Sequence, residues 1–196
     1  MPRPKLHDDT LRDRLLEVAG RIVAEEGAAA LSVRRVAADA DTSTTAIYSL
    51  FGGKGELVRE VWLEGFRRLA ARMEQAPPTG DALDDLRELG MAYHDHAVEN
   101  PAFYEIMFGR AVAEYEPSEA DRADAWRTLD MLVAGVRRCV ESGQAAGEPE
   151  EIAMVLWGLV HGMASLELHG MLGEPGEARR RFELAILVSG FGMVPR

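Results

Sequence analysis

The residues best suited to chemistry crowd between Ser32 and Leu57, where the chain reads SVRRVAADADTSTTAIYSLFGGKGEL. Ser43, Thr44, Thr45, Tyr48 and Ser49 put five hydroxyls into seven positions, and Lys54 follows a Gly-Gly break. Ser32, Arg34 and Arg35 stand just upstream. Hydroxyls, a phenol and cations on a short helix suit phosphate oxygens, which set register without reading sequence. Tyr48, Lys54 and Ser32 are the candidates for that role, with Arg34 and Arg35 as further cations. A threonine hydroxyl donates or accepts while its methyl meets that of thymine, so Thr44 and Thr45 suit base edges. The free N–H groups of a helix N-terminus also favour an anion.

Other chemistry is poorly represented. There is no Gly-rich phosphate loop, no G-x-S-x-G elbow, no H-E-x-x-H and no E-x-x-H pair, so no catalytic residue is assigned. Glu167 and His169 fall on different helix faces. His94 and His96 point apart, and His161 and His169 lie about 12 Å apart along a helix axis, too far to share a metal. Cys139, the only cysteine, allows neither an internal disulfide nor a multi-cysteine zinc site. A redox role for it lacks a resolving partner. No metal and no cofactor are expected.

The elements that must position the hydroxyl cluster read as helices throughout, and no segment alternates with period 2. Leu11, Leu15, Val18, Ile22 and Val23 recur at helical spacing, Asp8, Asp9 or Thr10 caps the start, and Gly27 stops the helix. Ser32 caps a short second helix over 33–40, and Asp41-Thr42 makes a turn. Ser43 or Thr44 caps a third helix to Phe51, which Gly52-Gly53 breaks. A long fourth helix runs from Lys54 to Gln75. Beyond the breaker Pro77-Pro78-Thr79-Gly80, Asp81 caps a helix to Glu99, and Asn100-Pro101 starts a short one ending near Gly109. Ser118 with Asp121 opens a helix to Ala146, Glu150 to Leu172 forms the next, and Glu174-Pro175 starts the last, to Phe191. The fold class is therefore all-α, with about nine helices. Val36 and Ala37 can pack on Ile47 and Phe51, which suits a helix-turn-helix whose second helix enters the major groove.

Charge leans the other way. The 196 residues carry a net charge of -11, but residues 1–60 hold nine basic against ten acidic groups, so nearly all the acid lies beyond them. A nearly neutral head can still bind phosphates through a few placed groups, because the field of the rest decays over roughly 8–10 Å. At 47% hydrophobic residues the composition is that of a folded domain. No run of about 18 uncharged apolar residues is present, so no membrane span is expected. The basic start, Met1 to Lys5, lacks the apolar core of a signal peptide, and the expected location is the cytoplasm.

Taken together, residues 9–60 resemble the TetR family of bacterial regulators. The marks are Glu25-Glu26-Gly27, then Ser32-Val33-Arg34-Arg35-Val36-Ala37, then Ser43, Ile47, Tyr48 and Phe51, then Lys54 and Glu56-Leu57. Asp41 stands where the family usually has glycine, Leu50 where it has histidine, and Gly52-Gly53 where it has Pro-Ser. The resemblance implies that Tyr48 and Lys54 touch phosphates while Ser43 to Thr45 and Ser49 face the groove.

Downstream, Trp157-Gly158 with His161-Gly162, and Asn100-Pro101 with Tyr104, Met107 and Phe108, resemble the Trp-His-Gly subtype of C-terminal domain in that family. The implied architecture is a three-helix DNA-binding domain, 1–53, joined through the long fourth helix to a ligand-binding and dimerisation bundle, 54–196. The last two long helices are expected to pair with those of a second copy, placing two recognition helices one DNA turn, about 34–36 Å, apart. Small residues Gly158, Gly162 and Ala164 would let a helix approach closely. A pocket is expected to draw on Met91, Tyr93, His94, Phe103, Met107, Phe108, Trp126, Met131, Trp157 and His161, because methionines and aromatics make adaptable apolar walls. The expected function is a ligand-responsive transcriptional repressor that binds a palindromic double-stranded operator as a homodimer and is released by a small-molecule inducer. A helical-bundle enzyme and a dimeric interaction protein without DNA binding are the alternatives.

Overall fold

The computed structural model describes residues 5–109 and 115–191. They form nine α-helices and one short 3-10 turn, with no strand among the described residues: α1 Lys5–Glu26, the turn Ala28–Ala30, α2 Val33–Asp39, α3 Thr44–Phe51, α4 Lys54–Glu74, α5 Ala82–Glu99, α6 Pro101–Phe108, α7 Glu119–Glu141, α8 Pro149–Leu168 and α9 Pro175–Phe191.

Several boundaries differ from expectation for local reasons. α1 begins at Lys5, upstream of Asp8 to Thr10, so these lie inside the helix instead of capping it. α7 stops at Glu141, five residues short of Ala146, because Gly143 takes a left-handed φ of 76° and the chain turns on Cys139 O, which accepts from the N–H groups of Gln144 and Ala145. α8 stops at Leu168 instead of Leu172, with Gly170 left-handed at φ 71°. Asn100 closes α5, its N–H bonding to His96 O, and Pro101 opens α6 directly.

By packing the chain divides into two compact units, Met1–Phe66 with Ala102–Arg122, and Arg67–Pro101 with Ala123–Arg196. In the first, the α1 stripe is buried at Leu15, Leu16, Ala19, Ile22 and Val23, joined by Val36, Ile47, Phe51 and Leu57. Burying each large aliphatic or aromatic side chain contributes about 1.5–3 kcal/mol, which is what holds two helices as short as α2 and α3. α6 seats on this core through glycines: a Cβ at Gly20 would lie 3.2 Å from the Phe103 ring, and one at Gly65 would lie 2.5 Å from Met107 Cγ. The start of α7 is tied in by Asp121. Its buried carboxylate accepts from Arg59 Nε at 2.8 Å, from the Tyr115 phenol at 2.9 Å and from Ser118 N at 3.0 Å. Burial alone would raise the Asp121 pKa, but these hydrogen bonds together hold it well below the usual carboxylate range.

In the second unit α5 packs on α8 and α9. A cluster of Leu86, Val136, Cys139, Ala145 and Ala153 fills its far end. Gly135 admits Leu86 and Leu89, whose Cδ1 atoms would lie 3.2 and 3.1 Å from a Cβ there. Cys139 is fully buried and its pKa is raised by that burial, the signature of an unreactive thiol. Asp95 accepts from both Arg72 and Arg179, at 3.0 and 2.8 Å.

Candidate nucleic-acid interface

The Ser32–Leu57 stretch folds because each short helix is closed at its start by its own side chain. Ser32 accepts from Arg35 N and Ser43 from Ala46 N, both at 3.2 Å. Each serine satisfies one of the orphan N–H groups of its helix and keeps its own O–H to donate. Between the helices the chain reverses over Asp41, whose φ of 50° is the one positive value outside glycine among the described residues. Thr42 N closes the turn on Ala37 O at 2.9 Å. Val36, Ala37 and Ala40 of the first arm and Ile47 and Phe51 of the second are buried, so the two helices are locked by five side chains. Gly52, left-handed at φ 82°, ends α3.

This burial decides which way the remaining side chains face. With Ile47 and Phe51 inward, Thr45, Tyr48 and Ser49 are exposed and Thr44 is half-buried, so one outer face carries the hydroxyls. Tyr48 is 58% exposed, a large fraction for an aromatic side chain. Lys54, at the first position of α4, is exposed. Ser32, Arg34 and Ser43 are exposed as well. The two adjacent arginines part company. Arg35 is bound by Asp39 at 2.9 Å and by Glu26 at 3.0 Å, and these carboxylates raise its pKa, whereas Arg34 has no carboxylate partner among the described residues. The i,i+4 spacing of Arg35 and Asp39 was legible in the chain; the approach of Glu26 was not.

Two further arginines of the unit are held by carboxylates. Arg12 pairs with Glu60 and lies 5.7 Å from the Phe51 ring centre. Arg59 pairs with Asp121, Glu60 and Glu56. Ser118 and Asp121 form the capping box expected of their spacing, but Asp121 also holds Arg59, a contact across 62 positions that no local pattern announces.

The residues expected to line one pocket fall in both packing units. Phe103 and Met107 are buried in the first unit, and Phe108 meets Phe66 edge-on with ring centres 5.7 Å apart. In the second unit Trp126, Trp157 and His161 form a chain of rings spaced 6.3 and 6.2 Å, and Tyr93 Oη lies 3.0 Å from His161 Nδ1. Burial lowers the His161 pKa. His94 is buried, with Nε2 2.8 Å from Glu167 and the ring 4.4 Å from Phe182, so it is occupied within the bundle. Met91 is half-buried in α5. Met131 lines a separate cleft with Met73, Pro77, Pro78, Leu89 and Arg138.

A family model described as bacterial regulatory proteins, tetR family, matches residues 15–61, and one described as tetracyclin repressor-like, C-terminal domain, matches residues 86–188. The chain is 24% identical to an HTH-type transcriptional regulator of Mycobacterium bovis, covering 91% of this chain and 93% of that protein. Among solved structures, a protein of unknown function from Rhodococcus sp. RHA1 superposes with a TM-score of 0.79 at 26% identity, over 94% of this chain and 96% of that one. The TetR family transcriptional regulator PfmR from Thermus thermophilus superposes at 0.72 with 26% identity, over 89% of this chain and 97% of that one.

Proposed function

The chain belongs to the TetR family of bacterial transcriptional regulators and is a DNA-binding regulator of transcription; on that premise we propose that it is a repressor that grips a palindromic operator as a homodimer and lets go when a small molecule binds. The observation that carries the DNA half of this reading is the outward hydroxyl face of α3 beside an exposed Lys54. In the proposed complex Thr44, Thr45 and Ser49 meet base edges, while Tyr48, Lys54, Ser32, Ser43 and Arg34 hold phosphates. Arg35 is assigned to the fold, because leaving Asp39 and Glu26 would forfeit two ion pairs.

The dimer reading rests on α8 and α9. Met154, Val155 and Leu166 of α8 and Leu184, Leu187 and Val188 of α9 are exposed, and a Cβ at Gly158 or Gly162 would meet nothing within 4 Å. By length and composition α8 alone among the described helices could cross a membrane. We read its apolar face instead as half of a four-helix seam with a second copy, since glycines let backbones approach and aliphatics fill the gap between them. The functional division is proposed at residues 53 and 54, the location as cytoplasmic, and the protein as a regulator without catalytic activity.

Selecting bound duplexes from a random pool at low salt tests the reading. Enrichment of a pseudo-palindrome with half-sites one turn apart is the expected result. No enrichment by folded, ligand-free dimer would overturn it and leave the interaction-protein alternative.

A further inference from the structure

We propose that the cleft between the end of α4, the Ala76–Pro78 link, α5 and α7 binds a small amphipathic monocarboxylate, with Arg138 as its anion-binding group. The cleft has a volume of about 290 Å³, near the lower end of the range for small-molecule sites. All of its lining lies in one packing unit: Met73, Ala76, Pro77 and Pro78, then Asp85 and Leu89, then Met131, Ala134 and Arg138.

The wall is pre-formed. Two prolines fix the backbone of the link, and Asp85 staples it by accepting from Thr79 N at 2.7 Å and Thr79 Oγ at 2.8 Å. Asp81 caps α5 and accepts from the Gln144 amide at 2.6 Å, closing the same end of the bundle. A ligand that enters therefore meets little ordering cost.

Polarity sets the ligand class. Met73 is buried, Leu89 and Met131 are half-buried, and together with the prolines they offer an apolar bed that thioethers can adapt to shape. Two charged groups interrupt it. Asp85 accepts both hydrogen bonds from Thr79, and these, with the nearby Arg138 charge, lower its pKa. Arg138 is exposed at the rim and makes no ion pair or side-chain hydrogen bond among the described residues, unlike its neighbour Arg137, which pairs with Glu150 at 2.8 Å. A guanidinium over an apolar bed matches a carboxylate head with a ring or short acyl tail beneath it. The Asp85 carboxylate opposes a second negative charge, hence a monocarboxylate.

This inference rests on the effector-sensing reading above and gives it a ligand class and a place. The test is calorimetric titration of the whole protein with hexanoate, octanoate and benzoate, against hexanol and hexylamine. The carboxylates should bind, and the alcohol and amine about ten-fold more weakly or not at all. Arg138→Met should weaken carboxylate binding by about ten-fold while leaving hexanol unchanged. Ala134→Phe, at an exposed position, should block all of them by filling the cleft. Failure of every carboxylate to bind, binding indifferent to both variants, or preference for hexylamine that disappears in Asp85→Asn would each overturn the proposal. Operator release is followed in the same samples. Carboxylate binding that Arg138→Met weakens, without release, upholds the site and removes the effector reading. Release by a different molecule, unaffected by either variant, upholds the effector reading and overturns this cleft as its seat.

Discussion

The outer faces of α3 and of the α8–α9 pair invert one another. On α3 the exposed positions are hydroxyls and a tyrosine, and the aliphatics point inward. On α8 and α9 valines, leucines and one methionine stand in solvent, with Val155 72% exposed. A polar face on a helix of eight residues is stable without a partner, because water satisfies its hydroxyls. An apolar face spanning two long helices is not, since exposed apolar patches of that extent mark an interaction surface. The two faces thus ask for different partners, a polyanion and another apolar surface.

The largest effect should come from charging the apolar face. Val155→Glu with Leu187→Glu should turn the proposed dimer into a monomer in sedimentation and weaken operator binding about a hundred-fold or more, since each head then binds alone. A variant that stays dimeric and binds DNA normally would break the comparison. On the polar face, Tyr48→Phe should weaken operator binding about ten-fold without altering the melting temperature, as one charge-assisted bond is lost. Lys54→Ala should lower the salt slope of binding by about one. An unchanged slope would take Lys54 off the contact surface.

A third effect separates the units by pH. His96 is buried, its Nε2 has no hydrogen-bond partner, and burial, aided by Arg68 and Arg72, pushes its pKa down to about 4. An unfolded chain takes up this proton near pH 6.5, so the stability held above that pH is lost as pH falls from 6.5 towards 4. Between pH 7 and pH 5 the wild type should lose about 2 kcal/mol more than His96→Leu in urea titrations. Asp121, depressed instead, acts lower: its contribution is present above about pH 4 and is lost as pH falls below it. The smallest effect is at the turn. Asp41→Gly should change stability by less than about 1 kcal/mol, as relief of the left-handed residue offsets the added freedom of glycine. It should also strengthen DNA binding slightly by removing an exposed anion beside α3.

The DNA-reading segment was legible because every device in it is local. Serine caps, a turn residue, two glycines and an i,i+4 apolar stripe act over fewer than a dozen positions, and together they determine that the hydroxyls face outward. Helix ends failed where two breakers competed: Gly143 and Gly170 ended α7 and α8 before the later stops at Gly147 and Gly173. The surroundings of the aromatic and methionine residues were not legible for another reason. Phe103 and Met107 carry an apolar pattern that says they are buried but not against what. The partners are Gly20 and Gly65, a match of bulk to absence of bulk across 83 and 42 positions.

The same holds for charge. That Arg34 and Arg35 flank the hydroxyl cluster is written in the chain. That Glu26 and Asp39 claim one of them, that Asp121 claims Arg59, and that Arg138 is left over a cleft beside Asp85 follow only from distance in space. Residue order is enough to set the helices, their caps and the polar face of α3, because propensity and periodicity act between near neighbours. Which charges are spent inside the fold and which remain for a ligand is settled by packing, because ion pairing depends on a separation of a few ångströms that the order of residues does not encode.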